Sequence, residues 1–491
     1  MTPEMMIQLG MGLPLLAMAL IGLTGKYPNV RETCTLVVST VLFYVTCQLA
    51  SLVFSGQRPE WVIGDMIPGF QIAFRVEPLG MLFALVASGL WIVTTVYAVG
   101  YMRGHNEKNQ TRFFACFAIA IFAAMAAAYS ANLFTLFVAY EIMTISTYPL
   151  VTHHGTEKAR NGGRVYLGIL LSTSVALFML AIAWTWTLCG TVDFRLGGIL
   201  GLAHAEGKIN ETQLGILLGL FAFGIGKAAL MPFHRWLPAA MVAPTPVSAL
   251  LHAVAVVKVG VFSVLKVSVY IFGIDLMAQT GISDWLCYVA AATILLASLV
   301  AMTKDNLKAR LAYSTVSQLA YITLGAAIAT QASVIGGGMH IAMHAMGKIT
   351  LFFCAGAIYV GAHKTDISDM RGLGRAMPLT FGAFLIASIS IIGLPPGGGA
   401  WSKWLLAVGA AESGKLALMA ALMISSLLNI AYLIPIPILG FLTPKGEEPM
   451  KFREAPLMCV VPLCLTAIGS VALFFVADQI YDWLLPITVE G

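Results

Sequence analysis

The stretch Thr212-Gln-Leu-Gly-Ile-Leu-Leu-Gly-Leu-Phe-Ala-Phe-Gly-Ile-Gly-Lys-Ala-Ala-Leu-Met-Pro-Phe233 reads as one crossing of a bilayer with a lysine, Lys227, inside it. A crossing needs about 20 apolar residues, and a charge at mid-membrane costs roughly 2.5–3.5 kcal/mol on insertion scales. A lipid-facing helix would not carry that cost. The same placement recurs for Lys258, Lys266, Lys348 and Lys403, and for one carboxylate, Glu141. Lysine gives up its proton more readily once it is taken out of water. A membrane protein lined with such lysines is most simply read as a proton carrier.

Composition agrees. The chain has 491 residues, 59% hydrophobic and 10% charged, against about 25% charged in soluble domains. No polar stretch is long enough for a separate soluble domain. The net charge of +5 comes from basic residues scattered through short loops, which does not suggest nucleic-acid binding. The eight cysteines (34, 47, 116, 189, 287, 354, 459 and 464) form no CxxC and read as small buried hydrophobes. No flavin, nucleotide, quinone or metal motif is legible, so neither cofactor nor metal is expected. The first apolar run, Met5 to Leu23, lacks a basic start and a small-residue cleavage site and reads as a retained span.

Further apolar runs put spans near 3–25, 31–54, 77–100, 112–129, 131–151, 164–190, 212–233, 243–272, 282–302, 309–330, 333–362, 379–410, 415–443 and 455–485. The expected fold is all-α and polytopic, with about fourteen crossings. Loops after odd-numbered spans hold eighteen basic residues, from Lys26 to Arg453 and including Lys445. Loops after even-numbered spans hold five: Arg58, Arg75, Arg195, Lys208 and Lys415. By the positive-inside rule the odd loops are cytoplasmic and both termini face outward. Spans eight and twelve look interrupted, the first opening with Ala243-Pro-Thr-Pro246 and the second holding Gly393-Leu-Pro-Pro-Gly-Gly-Gly399. Broken helices in corresponding places point to an inverted-repeat transporter. The expected units are 1–111 (spans one to three), 112–272 (first repeat, spans four to eight), 282–443 (second repeat, spans nine to thirteen) and 444–491 (span fourteen).

Glu141, midway along span five, has Lys227 as its natural partner, since intramembrane acids usually mark ion pathways. A purely structural carboxylate is the alternative. His340, His344 and Lys348 recur at i, i+4 and i+8 on one helix face. Two histidines at that spacing can hold a metal, but no HExxH context accompanies them, and a proton relay fits better. His153-His154 reads as a solvated loop pair. Lys266 is divided evenly between a functional role and snorkelling to an interface, and Glu77 reads as a rim residue.

Four blocks extend the reading: Gly224–Pro238, Pro244–Gly260, Asp305–Tyr321 and His340–Phe353. Together they resemble the proton-translocating antiporter-type subunits of respiratory complex I, Mrp cation/proton antiporters and membrane-bound hydrogenases, over about residues 75–430. The resemblance implies that Glu141 and Lys227 are the family's ion pair on helices five and seven. It makes Lys258 the central lysine of broken helix eight, with His252 beside it. Lys403, in Trp401-Ser-Lys-Trp404, becomes the terminal charge on broken helix twelve. Tyr140 stands where many relatives have Trp, and Arg164 where a lysine near helix six is common. The lysine on span twelve and the Gly-rich block before it look most like the D-type member of the Mrp group and its hydrogenase relatives. The implied activity is Na⁺ or K⁺ exchange for H⁺ by one subunit of a multisubunit complex in a bacterial inner membrane. The alternative is a proton-pumping subunit of an NADH:quinone oxidoreductase or hydrogenase, whose redox chemistry belongs to partners. A silent scaffold is the third reading, and five intramembrane cations argue against it.

Overall fold

The computed structural model describes residues 1–442 and 451–489; Lys445 and Gly491 lie outside the described residues. The chain is mostly helical. Its helices are α1 (Pro3–Leu23), α2 (Pro28–Phe54), α3 (Pro78–Gly104), α4 (Gln110–Tyr129), α5 (Leu133–Val151), α6 (Glu157–Cys189), α7 (Glu211–Gly224), α8 (Thr245–Phe272) and α9 (Asp284–Met302). They continue with α10 (Leu307–Ile328), α11 (Gln331–Ala362), α12 (Pro378–Ile392), α13 (Gly399–Glu412), α14 (Leu416–Phe441) and α15 (Leu457–Phe475). Among the described residues, twelve of these are long and apolar enough to cross a membrane, and α7 and α12 are shorter apolar helices.

Local sequence sets the ends. Asn132 and Asn306 accept from the backbone N–H of Thr135 and Ala309, capping α5 and α10. Thr330 and Ser333 form a reciprocal capping box on α11. Pro28, Pro78 and Pro378 occupy first-turn positions, where a missing N–H costs nothing.

Burial divides the bundle. α8, α10 and α11 are buried almost throughout, whereas in α6, α14 and α15 less than half of the apolar window is buried, the exposed side chains including Val175, Leu427 and Leu465. Of these, α8 carries Lys258 and Lys266 and α11 carries Lys348, so three of the five intramembrane lysines sit in the most enclosed part of the molecule.

Three elements depart from the sequence reading. A two-stranded antiparallel hairpin, β1 (Glu60–Ile67) and β2 (Phe70–Arg75), fills the loop between α2 and α3. The interruption of α8 does not lie at Pro244–Pro246. Pro246 sits in the helix's first turn, where proline is tolerated, and the irregularity comes later, in a π-turn over Leu250–Val254 that ends at Ala255 (φ −118°, ψ −80°). Finally, α6 begins at Glu157, so Arg164 lies within a helix. The break between α12 and α13 falls where the Gly-Pro run puts it: Gly393 adopts φ +94°, and a Cβ on Gly399 would lie 2.0 Å from the Ser390 carbonyl oxygen.

Candidate functional site

The break after α7 is a single 3₁₀ turn, Gly226–Ala228, which carries Lys227. Its backbone packs directly on α8: a Cβ at Gly260 would come within 2.3 Å of the Lys227 carbonyl carbon. Only glycine permits that approach. Trp236 Nε1 donates to the Gly226 carbonyl oxygen at 2.9 Å and closes the turn from the other side.

Lys227 is fully buried and reaches α5 in a way the sequence reading does not anticipate. Its Nζ donates to the Tyr140 carbonyl oxygen at 2.8 Å and to Thr144 Oγ1 at 2.5 Å, and lies 3.1 Å from the centre of the Tyr140 ring. The Tyr140 hydroxyl in turn accepts from the Lys227 backbone N–H at 2.9 Å. Lys227 and Glu141 make no ion pair within 4.0 Å among the described residues, and both carboxylate oxygens of Glu141 are buried without a hydrogen-bond partner. Adjacent residues on a helix point about 100° apart, so an ammonium seated on Tyr140 and Thr144 is turned away from Glu141. Any influence of this carboxylate on Lys227 is therefore exerted through space and not by contact.

Toward the centre, Lys258 Nζ meets His344 Nδ1 at 2.7 Å, bridging α8 and α11. One turn earlier on α11, His340 Nδ1 lies 2.8 Å from Ser402 Oγ of α13. One turn later, Lys348 Nζ donates to Ser314 Oγ of α10 at 2.6 Å, and the Tyr432 hydroxyl donates to the same oxygen at 2.9 Å. The three α11 residues thus share a face and reach three different helices. Lys403 Nζ donates to the carbonyl oxygen of Ile392 at 3.2 Å, an acceptor near the α12 break, and lies 4.6 Å from the centre of the Tyr321 ring. The His252 ring packs tilted against Phe352, centres 4.6 Å apart, and neither of its nitrogens has a hydrogen-bond partner among the described residues.

Two cavities flank this row, and the second opens onto Lys403. One of about 610 Å³ is lined by Tyr101, Thr245, Lys308 and Tyr359, at the end where the basic odd-numbered loops gather. Thr245, Ser248 and His252 follow at i, i+3 and i+7 on α8, leading inward from it. The other, of about 460 Å³, reaches Lys403, Tyr321 and Gly393.

Other readings change. Lys266 does not snorkel: it is buried, pairs with Glu77 at 3.5 Å and donates to the Ser130 carbonyl oxygen. Glu77 stands at the start of α3, as the sequence places it, and there forms half of a buried pair. His153 is also buried, with Nε2 3.7 Å from Glu107, while His154 stands 3.6 Å from the same carboxylate. Burial, with His154 and Arg112 alongside, brings the His153 pKa down to about 4.

Thr144, Ser314, Ser402 and Tyr432 received no role from the sequence, although each holds or backs a charged residue of the row. A signal existed: Ser314, Gln318 and Tyr321 fall at i, i+4 and i+7, one polar stripe on an apolar helix.

Comparison with known proteins fits this arrangement. The family described as "NADH:quinone oxidoreductase/Mrp antiporter, TM" matches residues 130–429, and "NADH-Ubiquinone oxidoreductase (complex I), chain 5 N-terminus" matches residues 65–114. The NADH-quinone oxidoreductase subunit N of Desulforudis audaxviator is 30% identical over 465 residues, covering 89% of this chain and 90% of that protein. A probable K(+)/H(+) antiporter component of Rhizobium meliloti is 29% identical, covering 92% of this chain and 46% of that one. The structure superposes on a chain of the Mrp complex from Dietzia sp. with a TM-score of 0.87 at 20% identity, covering 99% and 97% of the two chains.

Proposed function

The chain belongs to the NADH:quinone oxidoreductase/Mrp antiporter membrane family, and on that footing we propose that it is the proton-carrying subunit of a multisubunit Na⁺ or K⁺:H⁺ antiporter. The observation that carries the reading is the Lys258–His344 contact of 2.7 Å. It joins the lysines of the proposed first repeat to those of the second inside the most enclosed helices of the bundle.

Protons enter from the 610 Å³ cavity by Thr245 and Ser248 to His252, pass to Lys258 and His344, and leave by Lys403 toward the second cavity. Buried polar atoms line this route with no protein partner: both nitrogens of His252, Ser248 Oγ, the Gln318 amide, and Nε2 of His340 and His344. Groups of this kind are satisfied by water in native proteins, which supports a hydrated axis. Charge coupling drives the movement: two cations about 7 Å apart at an effective dielectric near 20 repel by roughly 2 kcal/mol. Rotation of Lys227 from Tyr140 and Thr144 onto Glu141 would change the field felt at Lys258. The tyrosine under Lys227 on α5 and the tyrosine under Lys403 on α10 support two repeats, 112–272 and 282–443, within fourteen crossings. The proposed setting is a bacterial inner membrane with both termini on the periplasmic side.

The test is dissipation of a preformed ΔpH in inverted vesicles from cells lacking other antiporters. Dequenching on addition of Na⁺ or K⁺ is expected; silence toward both cations would overturn the antiporter reading. A second reading, a proton-pumping subunit of a redox complex, is favoured by the end-to-end match to an NADH-quinone oxidoreductase subunit N. The chains that co-purify with the intact complex separate the two.

A further inference from the structure

The end of the bundle that carries the β1–β2 hairpin is poor in basic residues, yet three of its five converge on one cavity. Arg58, Arg75 and Arg195 line a space of about 310 Å³ together with Glu77, Leu196 and Tyr270. The remaining two, Lys208 and Lys415, each pair with an acid, Glu206 at 2.6 Å and Asp284 at 2.5 Å. The cavity arginines are not so matched. Arg75 lies 3.3 Å from Glu77 and donates to the Phe194 carbonyl oxygen, but Glu77 already faces the buried Lys266. Among the described residues, Arg58 reaches only the carbonyl oxygens of Val53 and Gln57. The Arg195 guanidinium has no acceptor among the described residues, and Glu60, across the hairpin from Arg75, makes no ion pair there.

Three guanidiniums therefore share this cavity with a single carboxylate, one already faced by the Lys266 ammonium, at the level where α3 begins and α8 ends. Guanidinium forks match the oxygens of a phosphate better than a lone ammonium does, and the cavity is at the small end of ligand sites. Leu196, 39% exposed beside Arg195, gives the rim an apolar lip. We infer that this cavity binds a phosphate group, that of an anionic lipid headgroup.

The complex, purified through a tag on this chain, is reconstituted in vesicles of phosphatidylglycerol and phosphatidylcholine and re-extracted, and its bound lipid is weighed by native mass spectrometry. Wild type is expected to retain phosphatidylglycerol, and Arg58→Gln/Arg195→Gln to retain roughly tenfold less, about the loss of one charge-assisted hydrogen bond. Arg75 is left in place because it braces Glu77. Equal retention in both overturns the site. Wild type that binds inorganic phosphate but no phosphatidylglycerol keeps the phosphate site and assigns it to a free anion. If the double variant does not assemble, glycerol 1-phosphate in excess decides on wild type: displacement of the lipid supports the site, and undiminished retention overturns it.

Discussion

Lys227 and Lys266, in the proposed first repeat, each have a carboxylate within electrostatic reach: Glu141 through space and Glu77 at 3.5 Å. Lys348 and Lys403, in the second half, rest on a serine, a backbone carbonyl and an aromatic face. A lysine beside an acid can keep its proton as part of a neutral pair. One held by neutral acceptors bears an uncompensated charge whenever it is protonated, and that charge is costly where water is scarce. On the proposed mechanism the first repeat would store charge and the second would pass it on, with Lys258 and His344 at the seam.

That contrast is broken most directly by removing a storing pair. Glu141→Ala and Lys227→Ala are each expected to lower exchange at least about 100-fold, the scale of a lost proton-transfer group, with membrane insertion intact on immunoblots. Near-normal dequenching in either variant would place charge storage elsewhere. In the second half, Lys403→Arg keeps the cation but does not release a proton at working pH. It should fold and lose most transport, while Lys403→Glu keeps part of it. Equal transport by arginine and lysine would make Lys403 a fixed electrostatic post.

Smaller changes sharpen the picture. Gly260→Ala pushes a methyl against the Lys227 turn, and overpacking of this kind costs about 1–3 kcal/mol; a fall in thermal stability of the purified complex, with reduced exchange, is expected. Tyr140→Phe leaves the ring under Lys227 but removes the acceptor for its backbone N–H, a loss near 1 kcal/mol and roughly fivefold in rate. The smallest effect lies outside the spans. His153 has its pKa pulled below the usual histidine value, to about 4, so its contribution to stability is present above about pH 6.5 and fades as pH falls toward 4. His153→Gln should flatten that acid decline in melting temperature by ~2–4 °C.

Much of this was open to a reader of the sequence. A lysine inside an apolar run announces its own burial, so Lys227, Lys258, Lys348 and Lys403 could be picked out before their partners were known. The Gly-Pro run fixed the α12 break for the same reason, since proline and glycine remove backbone hydrogen bonds visibly. The ion pair of Glu141 and Lys227 was not legible as contact or separation. Pairing opposite charges ignores that an ammonium can seat itself on a carbonyl and a hydroxyl one turn away, which Tyr140 and Thr144 provide. The α8 irregularity at Ala255 has no glycine or proline to announce it; a π-turn is a choice of hydrogen-bond register made by packing. The hairpin was signalled only by Pro68-Gly69 between short apolar runs, a turn marker that the hydropathy of the flanking spans obscures.

The seam offers the most direct test. Lys258→Met keeps the length and burial of the side chain and removes the group that meets His344 at 2.7 Å. Cation-driven ΔpH dissipation is measured in inverted vesicles, with expression and complex assembly matched to wild type. The account predicts that exchange is lost, because protons no longer cross between the two halves. Exchange near the wild-type rate in Lys258→Met would show that the halves work independently and would contradict a single lysine axis.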